Sequence, residues 1–113
     1  MSVEVYPNIY NVDVYESVVY VPTALELLKV SEDAQLLSNK AYVADSSSAS
    51  LSLVLPLSSK SGDSVEIVRY GSNAVTVSRN GHRINGSEQD LSLAELQSIR
   101  LRYVDSTIGW INF

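Results

Sequence analysis

Cysteine is missing from this chain of 113 residues, which excludes a disulfide scaffold, a thiolate nucleophile and every zinc site that needs sulfur ligands. Histidine is nearly missing too. His82 stands alone, so a histidine-rich metal cluster cannot be built. No apolar run approaches the roughly 20 residues that span a bilayer, and no EF-hand loop of spaced aspartates appears. The first residues, Met-Ser-Val-Glu-Val-Tyr, lack the basic n-region and cleavage site of a secretory signal, so synthesis in a cytoplasm is expected. Basic charge is scarce as well. The net charge is -5, and it is confined to one end. Residues 1–33 hold Glu4, Asp13, Glu16, Glu26, Glu32 and Asp33 against Lys29, whereas the acids and bases of residues 34–113 cancel. Phosphate backbones and anionic lipid surfaces are gripped by clustered lysine and arginine, so neither nucleic acid nor membrane is an expected partner.

What remains is one domain's worth of chain, 45% hydrophobic and 19% charged. A domain this small buries only about two thirds of its unfolded surface, so self-association is an expected source of added stability. Four of the seven tyrosines, Tyr6, Tyr10, Tyr15 and Tyr20, fall in the first 20 residues, interleaved with valines and without one glycine. β-Branched and aromatic residues suit an extended, half-buried chain. Val12-Asp13-Val14 and Val18-Val19-Tyr20-Val21 therefore read as strand, either the first strands of the domain or an arm that pairs with a neighbouring subunit. Thr23-Ala24-Leu25-Glu26 has the spacing of a capping box behind Pro22, which predicts one or two short helical turns between 23 and 38. Residues 1–38 form in this reading an N-terminal arm with a short helix, and 39–113 the main domain.

From Lys40 onward the periodicity is that of β-strands. Ser50-Leu51-Ser52-Leu53-Val54-Leu55 buries Leu51, Leu53 and Leu55. Val65 and Ile67 alternate with Glu66 and Val68, Leu91 and Leu93 mark a short strand, and Ile99-Arg100-Leu101-Arg102-Tyr103 alternates throughout, ahead of a last strand around Trp110. Asn80-Gly81 is a strong hairpin signal, because a type I′ turn needs positive φ at both central positions. That register sets Arg79 opposite His82 and Val77 opposite Ile84. Strands at this spacing with turns between them predict an all-β fold, a small antiparallel β-sandwich or barrel.

Catalytic chemistry has little to stand on. His82 follows a turn, where it should be exposed and without a third group to hold it as a general base. Asp45, Asp63, Asp90 and Asp105 each sit beside Gly or Ser or within a turn, which suits Asx-turns better than metal ligation. No enzyme, cofactor or metal is therefore expected. Arg100 and Arg102 line the polar side of one strand, with Arg79 and Arg83 expected on a neighbouring hairpin. They form either a solvated face balanced by Glu66, Glu88 and Glu95 or a basic strip that receives the acidic leader of another copy.

The strand Leu51-Ser52-Leu53-Val54-Leu55-Pro56, the turn and strand Gly62-Asp63-Ser64-Val65-Glu66-Ile67-Val68, the succession Asn73-Ala74-Val75-Thr76-Val77-Ser78-Arg79-Asn80-Gly81-His82-Arg83-Ile84-Asn85-Gly86, and the ending Leu101-Arg102-Tyr103-Val104-Asp105 before Trp110 together resemble the small β modules of bacteriophage virion proteins. The likeness covers residues 42–113. It implies a virion building block, assembled as a homotrimer and bound to the major capsid protein or another virion protein. A capsid cement or decoration protein fits a short chain without stalk repeats, and a tail, neck or tail-fibre component is the alternative. Tyr6, Tyr10, Tyr15, Tyr20, Arg100 and Arg102 are the interface residues expected on this view, since tyrosine and arginine are enriched at interfaces.

Overall fold

The computed structural model describes residues 25–113. The strands expected over residues 12–21, the four leader tyrosines and the capping threonine lie outside the described residues. Nine strands follow in chain order: β1 (Glu26–Val30), β2 (Ala34–Gln35), β3 (Lys40–Asp45), β4 (Leu51–Val54), β5 (Ser64–Tyr70), β6 (Val75–Ser78), β7 (Leu91–Leu93), β8 (Ser98–Tyr103) and β9 (Trp110–Asn112). They form a five-stranded sheet, β1-β3-β5-β8-β9, and a four-stranded sheet, β2-β4-β6-β7. The fold is all-β, in two separate mixed sheets rather than a closed barrel.

Two expectations are corrected here. Residues 25–38 contain two strands, and no helix occurs among the described residues. The reason lies in which leucines are buried. Leu28 and Val30, two apart, pack on the core while Leu27 and Lys29 point outward, a period that suits a strand and not a helix. The sheets are also not antiparallel throughout. From β1 to β6 the chain places successive strands in alternate sheets, so each return to a sheet runs in the same direction as before. β3 lies parallel to both β1 and β5, with Lys40 beside Glu26 and beside Val65. In the other sheet β4 lies parallel to β2 and β6, with Leu53 beside Ala34 and beside Val77.

Backbone pairing continues around the corners of this winding. Leu36 N–H donates to the Val54 carbonyl at 2.8 Å, Leu55 N–H to Ser78 at 2.9 Å, and Ser46 N–H to Tyr70 at 2.8 Å. Side chains tie one turn of chain to the next. The Asp33 carboxylate accepts from Ser52 N–H at 2.8 Å, Asn39 Oδ1 from Ser64 N–H at 3.1 Å, and Asn73 Nδ2 donates to the Ser46 carbonyl at 2.7 Å. Corners stacked in this way satisfy backbone groups that would otherwise be stranded at the rim of the core.

The winding stops at the C-terminal strands, where β7, β8 and β9 run antiparallel to their neighbours. Asn80-Gly81 makes the expected turn, with φ of 52° and 89° and His82 N–H donating to Arg79 at 3.2 Å. The strands that were expected to flank it do not pair. Val77 lies opposite Leu91, and Ile84 bridges to Ser87 and Trp110. β6 already has β4 on one side and takes β7 on the other, so it has no free edge for the residues after the turn. Residues 79–90 instead lead across the end of the core.

Side chains from both sheets meet in one buried cluster. Leu51, Leu53, Val75, Val77 and Leu93 come from one sheet; Tyr42, Val65, Ile67, Ile99, Leu101 and Tyr103 from the other; Leu36, Leu55, Ile84 and Trp110 fill its ends. The alternation read in β4, β5 and β8 is therefore the alternation observed. One turn is strained. Leu96 has φ 61° and is 68% exposed, at the third position of a turn closed by Gln97 N–H to Ala94 carbonyl at 3.0 Å. A branched side chain there costs on the order of 1 kcal/mol that asparagine largely avoids. Leu96→Asn should raise the unfolding free energy by about 0.5–1 kcal/mol, read from the urea midpoint at unchanged slope; an unchanged or lower midpoint would show that the leucine side chain has its own stabilising contact.

Candidate interface on the five-stranded sheet

The two sheets turn opposite chemistry outward. On the four-stranded sheet the outward side chains are Ser52, Thr76 and Ser92 in one cross-strand row and Val54 beside Ser78 in the next. Such a surface is readily solvated. On the five-stranded sheet, Leu27, Ala41, Glu66, Arg100 and Phe113 make one row, and Lys29, Val43, Val68 and Ser98 the next. Phe113 joins its row through an N–H to the Arg100 carbonyl at 2.8 Å. Beyond them Tyr70 lies beside Asp45, and Ile111 beside Arg102.

Leu27 is 66% exposed, Phe113 69% and Tyr70 57%. A shallow groove of about 330 Å³ on this face is lined by Leu27, Ala41, Glu66, Val68, Arg100 and Phe113 among others. Scattered apolar side chains are ordinary on a protein surface; here Leu27 with Ala41, and Val43 with Val68, gather on one face, with the Glu66–Arg100 ion pair between them and Phe113.

The charged groups on this face are already arranged. Arg100 Nε lies 3.2 Å from Glu66 Oε2, directly across the β5–β8 pair. Lys29 Nζ lies 3.6 Å from Asp45 Oδ2. Asp45 is held below the usual carboxylate range, first by hydrogen bonds from the Ser47 hydroxyl and amide and then by Lys29, so it stays anionic at neutral pH. The Arg102 guanidinium stacks over the Phe113 ring, 5.1 Å from its centroid. This contact fixes the orientation of the exposed ring, at a strength of roughly 0.5–1 kcal/mol for a solvated pair.

Arg100 and Arg102, singled out in the sequence, are thus both on this face. Arg79 and Arg83 are not their neighbours, because β8 is flanked by β5 and β9; Arg79 N–H bonds Asp90 at 3.0 Å and Arg83 pairs with Glu88 at 3.2 Å. Sequence reasoning missed Leu27, Val43, Val68, Tyr70 and Phe113. A signal was there to be read. Tyr42-Val43-Ala44 and Ile67-Val68 are apolar at both parities, the mark of a strand that is covered on both sides.

His82 is half-buried rather than exposed. Its Nε2 lies 2.8 Å from the Leu57 carbonyl, and its ring packs edge-on to Tyr103 at 5.3 Å, a contact that ties the turn to the core. Among the described residues no group of three or more His, Asp or Glu side chains could hold a metal ion, and no helix is long and apolar enough to cross a membrane. Comparison with protein-family models and with curated protein sequences finds no match.

Proposed function

We propose that this chain is a structural protein of a bacteriophage virion and not an enzyme, acting as a trimeric cement or decoration protein that binds the capsid lattice and stabilises it. In this reading the two sheets, which take in residues 26–38 as β1, β2 and the core residue Leu36, form the sandwich-like body, and the residues before β1 reach the neighbouring subunit or the major capsid protein. The observation that carries the proposal is the apolar outer face of the five-stranded sheet. Charge-patterned and, among the described residues, carrying a shallow open groove, it is suited to covering another protein surface rather than enclosing a small substrate. The sole histidine, engaged by Leu57 and Tyr103, serves packing in the same reading.

A cement works by mass action, because binding only the assembled lattice stabilises that state. Three linked copies multiply a weak contact through effective concentration. About 20 extended residues reach roughly 60–70 Å, enough to cross onto an adjacent subunit, and Tyr6, Tyr10, Tyr15 and Tyr20 would anchor them there. Deleting residues 2–20 should leave far-UV circular dichroism unchanged and abolish co-sedimentation with capsids. A truncated chain that unfolds would show instead that the leader belongs to the core.

The tail, neck or fibre reading has one observation in its favour. Parallel winding of β1-β3-β5 beside β2-β4-β6 is a construction that lengthens by adding strands at a sheet edge. Copy number on purified particles separates the two readings, by quantitative mass spectrometry with antibody labelling under the electron microscope. Hundreds of copies over the head support the cement, a few or a few dozen at the tail or neck support the alternative, and absence from the particle removes both.

A further inference from the structure

We propose that the outer face of the five-stranded sheet is a self-association surface, occupied by a second copy of this chain, with Val43 and Val68 at its centre and Leu27, Tyr70 and Phe113 around them. The inference rests on the reading of the protein as a self-assembling structural module, and it names the surface that does the assembling.

Three observations select this face and this occupant. The first is the contrast between the two sheets. Both bury one side in the same core, yet the five-stranded sheet sets Val43 beside Val68 on its outer side, whereas the other shows serine and threonine around a single valine, Val54. Solvent alone would not favour Val43 beside Val68 where Thr76 stands beside Ser52.

The second is charge. Among the outward side chains of the five-stranded sheet Lys29 pairs with Asp45 and Arg100 with Glu66, which leaves Arg102 as a single excess positive charge beside Phe113. Residues 1–24 carry Glu4, Asp13 and Glu16 with no lysine or arginine. A second copy therefore brings both an apolar face and an acidic leader, complementing each feature of this surface.

The third is area. Five strands about 4.8 Å apart and some six residues long at about 3.3 Å each cover roughly 400 Å², about half of the ~800 Å² per partner in a standard stable interface. The face alone is too small for a tight complex. It suits an assembly in which the body contact and a second contact from the same partner act together, and this also accounts for an apolar patch that remains modest.

The test is the mass of the full chain in solution, by light scattering and sedimentation across a concentration series, for wild type, Val68→Glu and Thr76→Glu. Val68→Glu puts a carboxylate beside Val43 at the centre of the face, and Thr76→Glu puts the same group on the outside of the other sheet. The expected result is a concentration-dependent oligomer for wild type and Thr76→Glu, and monomer for Val68→Glu with an unchanged circular dichroism spectrum. A wild type that is monomeric throughout overturns the proposal, whether the face is then bare, covered by its own chain or reserved for another protein. So does a Val68→Glu chain that is folded and still oligomeric. If Val68→Glu fails to fold, the double variant Leu27→Ser, Phe113→Ser decides, because both side chains are exposed and their loss leaves the core intact. It should weaken association at least about tenfold, the loss of about 1.4 kcal/mol or more that peripheral anchors give together; unaltered association overturns the proposal. An oligomer that depends on this face but is absent from virions leaves the inference standing and removes the virion reading, and the opposite pair of results does the reverse.

Discussion

Gly109→Ala should remove about 4 kcal/mol of unfolding free energy, a large part of what a domain of this size possesses. Two causes act together. Gly109 has φ 79°, where an L-residue with a Cβ is strained by about 1–2 kcal/mol. A Cβ added there would also collide with the Arg83 carbonyl oxygen and stand 2.8 Å from the Arg83 nitrogen. These are backbone atoms with no flexible end to swing aside. Moving them would break the bond in which Trp110 N–H donates to that same carbonyl at 2.8 Å, and with it the neighbouring bond from Asn85 N–H to the Trp110 carbonyl at 2.8 Å. Each lost buried pairing adds about 1 kcal/mol.

Gly81→Ala is the control. It has φ 89° and nothing within 4 Å of the added Cβ, so it carries the conformational strain without the collision and should lose only about 1–2 kcal/mol. Urea unfolding followed by the fluorescence of Trp110, the single tryptophan, measures both. Equal losses in the two variants would remove the Arg83 contact as a cause.

The seam at Gly109 lies between residues 26 positions apart in the chain, and it illustrates what local sequence could and could not disclose. Strand positions and buried faces were legible wherever polar and apolar residues alternate, as in Leu51, Leu53 and Leu55 or Ile99, Leu101 and Tyr103. That signal is local: a period of two depends only on which side of the backbone each residue leaves. Pairing depends on what the chain meets on its return. The returns are unequal, from Glu26 to Lys40 and then from Lys40 to Val65, so the winding leaves no fixed period in the sequence.

Leu25-Glu26-Leu27-Leu28 shows a second limit. Its apolar spacing fits one helical turn as well as a strand with one exposed leucine, and tertiary pairing with β3 decided for the strand. The Asn80-Gly81 turn was legible from steric preference alone, but its partner strands were not, because β6 is flanked on both edges by residues far away in sequence. At the candidate interface Arg100 and Arg102 stood out by their charge. Val43 and Val68, on the same face, carry no such mark, since a valine on the outer side of a strand and one in the core look alike along a single chain.

Trp110→Ala should cost about 4 kcal/mol, in the range for deleting a fully buried tryptophan side chain, and Trp110→Phe no more than about 1–2 kcal/mol. The side chain is wholly buried and meets Tyr103 edge-on at 5.2 Å, and Tyr103 in turn meets His82. One indole therefore closes the end of the core and holds the turn after β6. Alanine would leave a cavity beneath Ile84 and unseat that aromatic row. Phenylalanine keeps an edge toward Tyr103 and loses only part of the ring volume.

The indole nitrogen separates the two variants further. Nε1 is buried with no hydrogen-bond partner among the described residues, and an N–H left in that state costs roughly 1–3 kcal/mol of desolvation. Phenylalanine has no such group and recovers the penalty, offsetting much of the lost packing. Circular dichroism must follow these variants, since neither retains tryptophan fluorescence. A Trp110→Phe loss as large as that of Trp110→Ala would show that the indole N–H has a stabilising partner, because the phenyl ring restores most of the lost volume. A loss near zero would show that the N–H gives nothing to stability and that an apolar ring on β9, set against Ile84 and Tyr103, is what closes this end of the core.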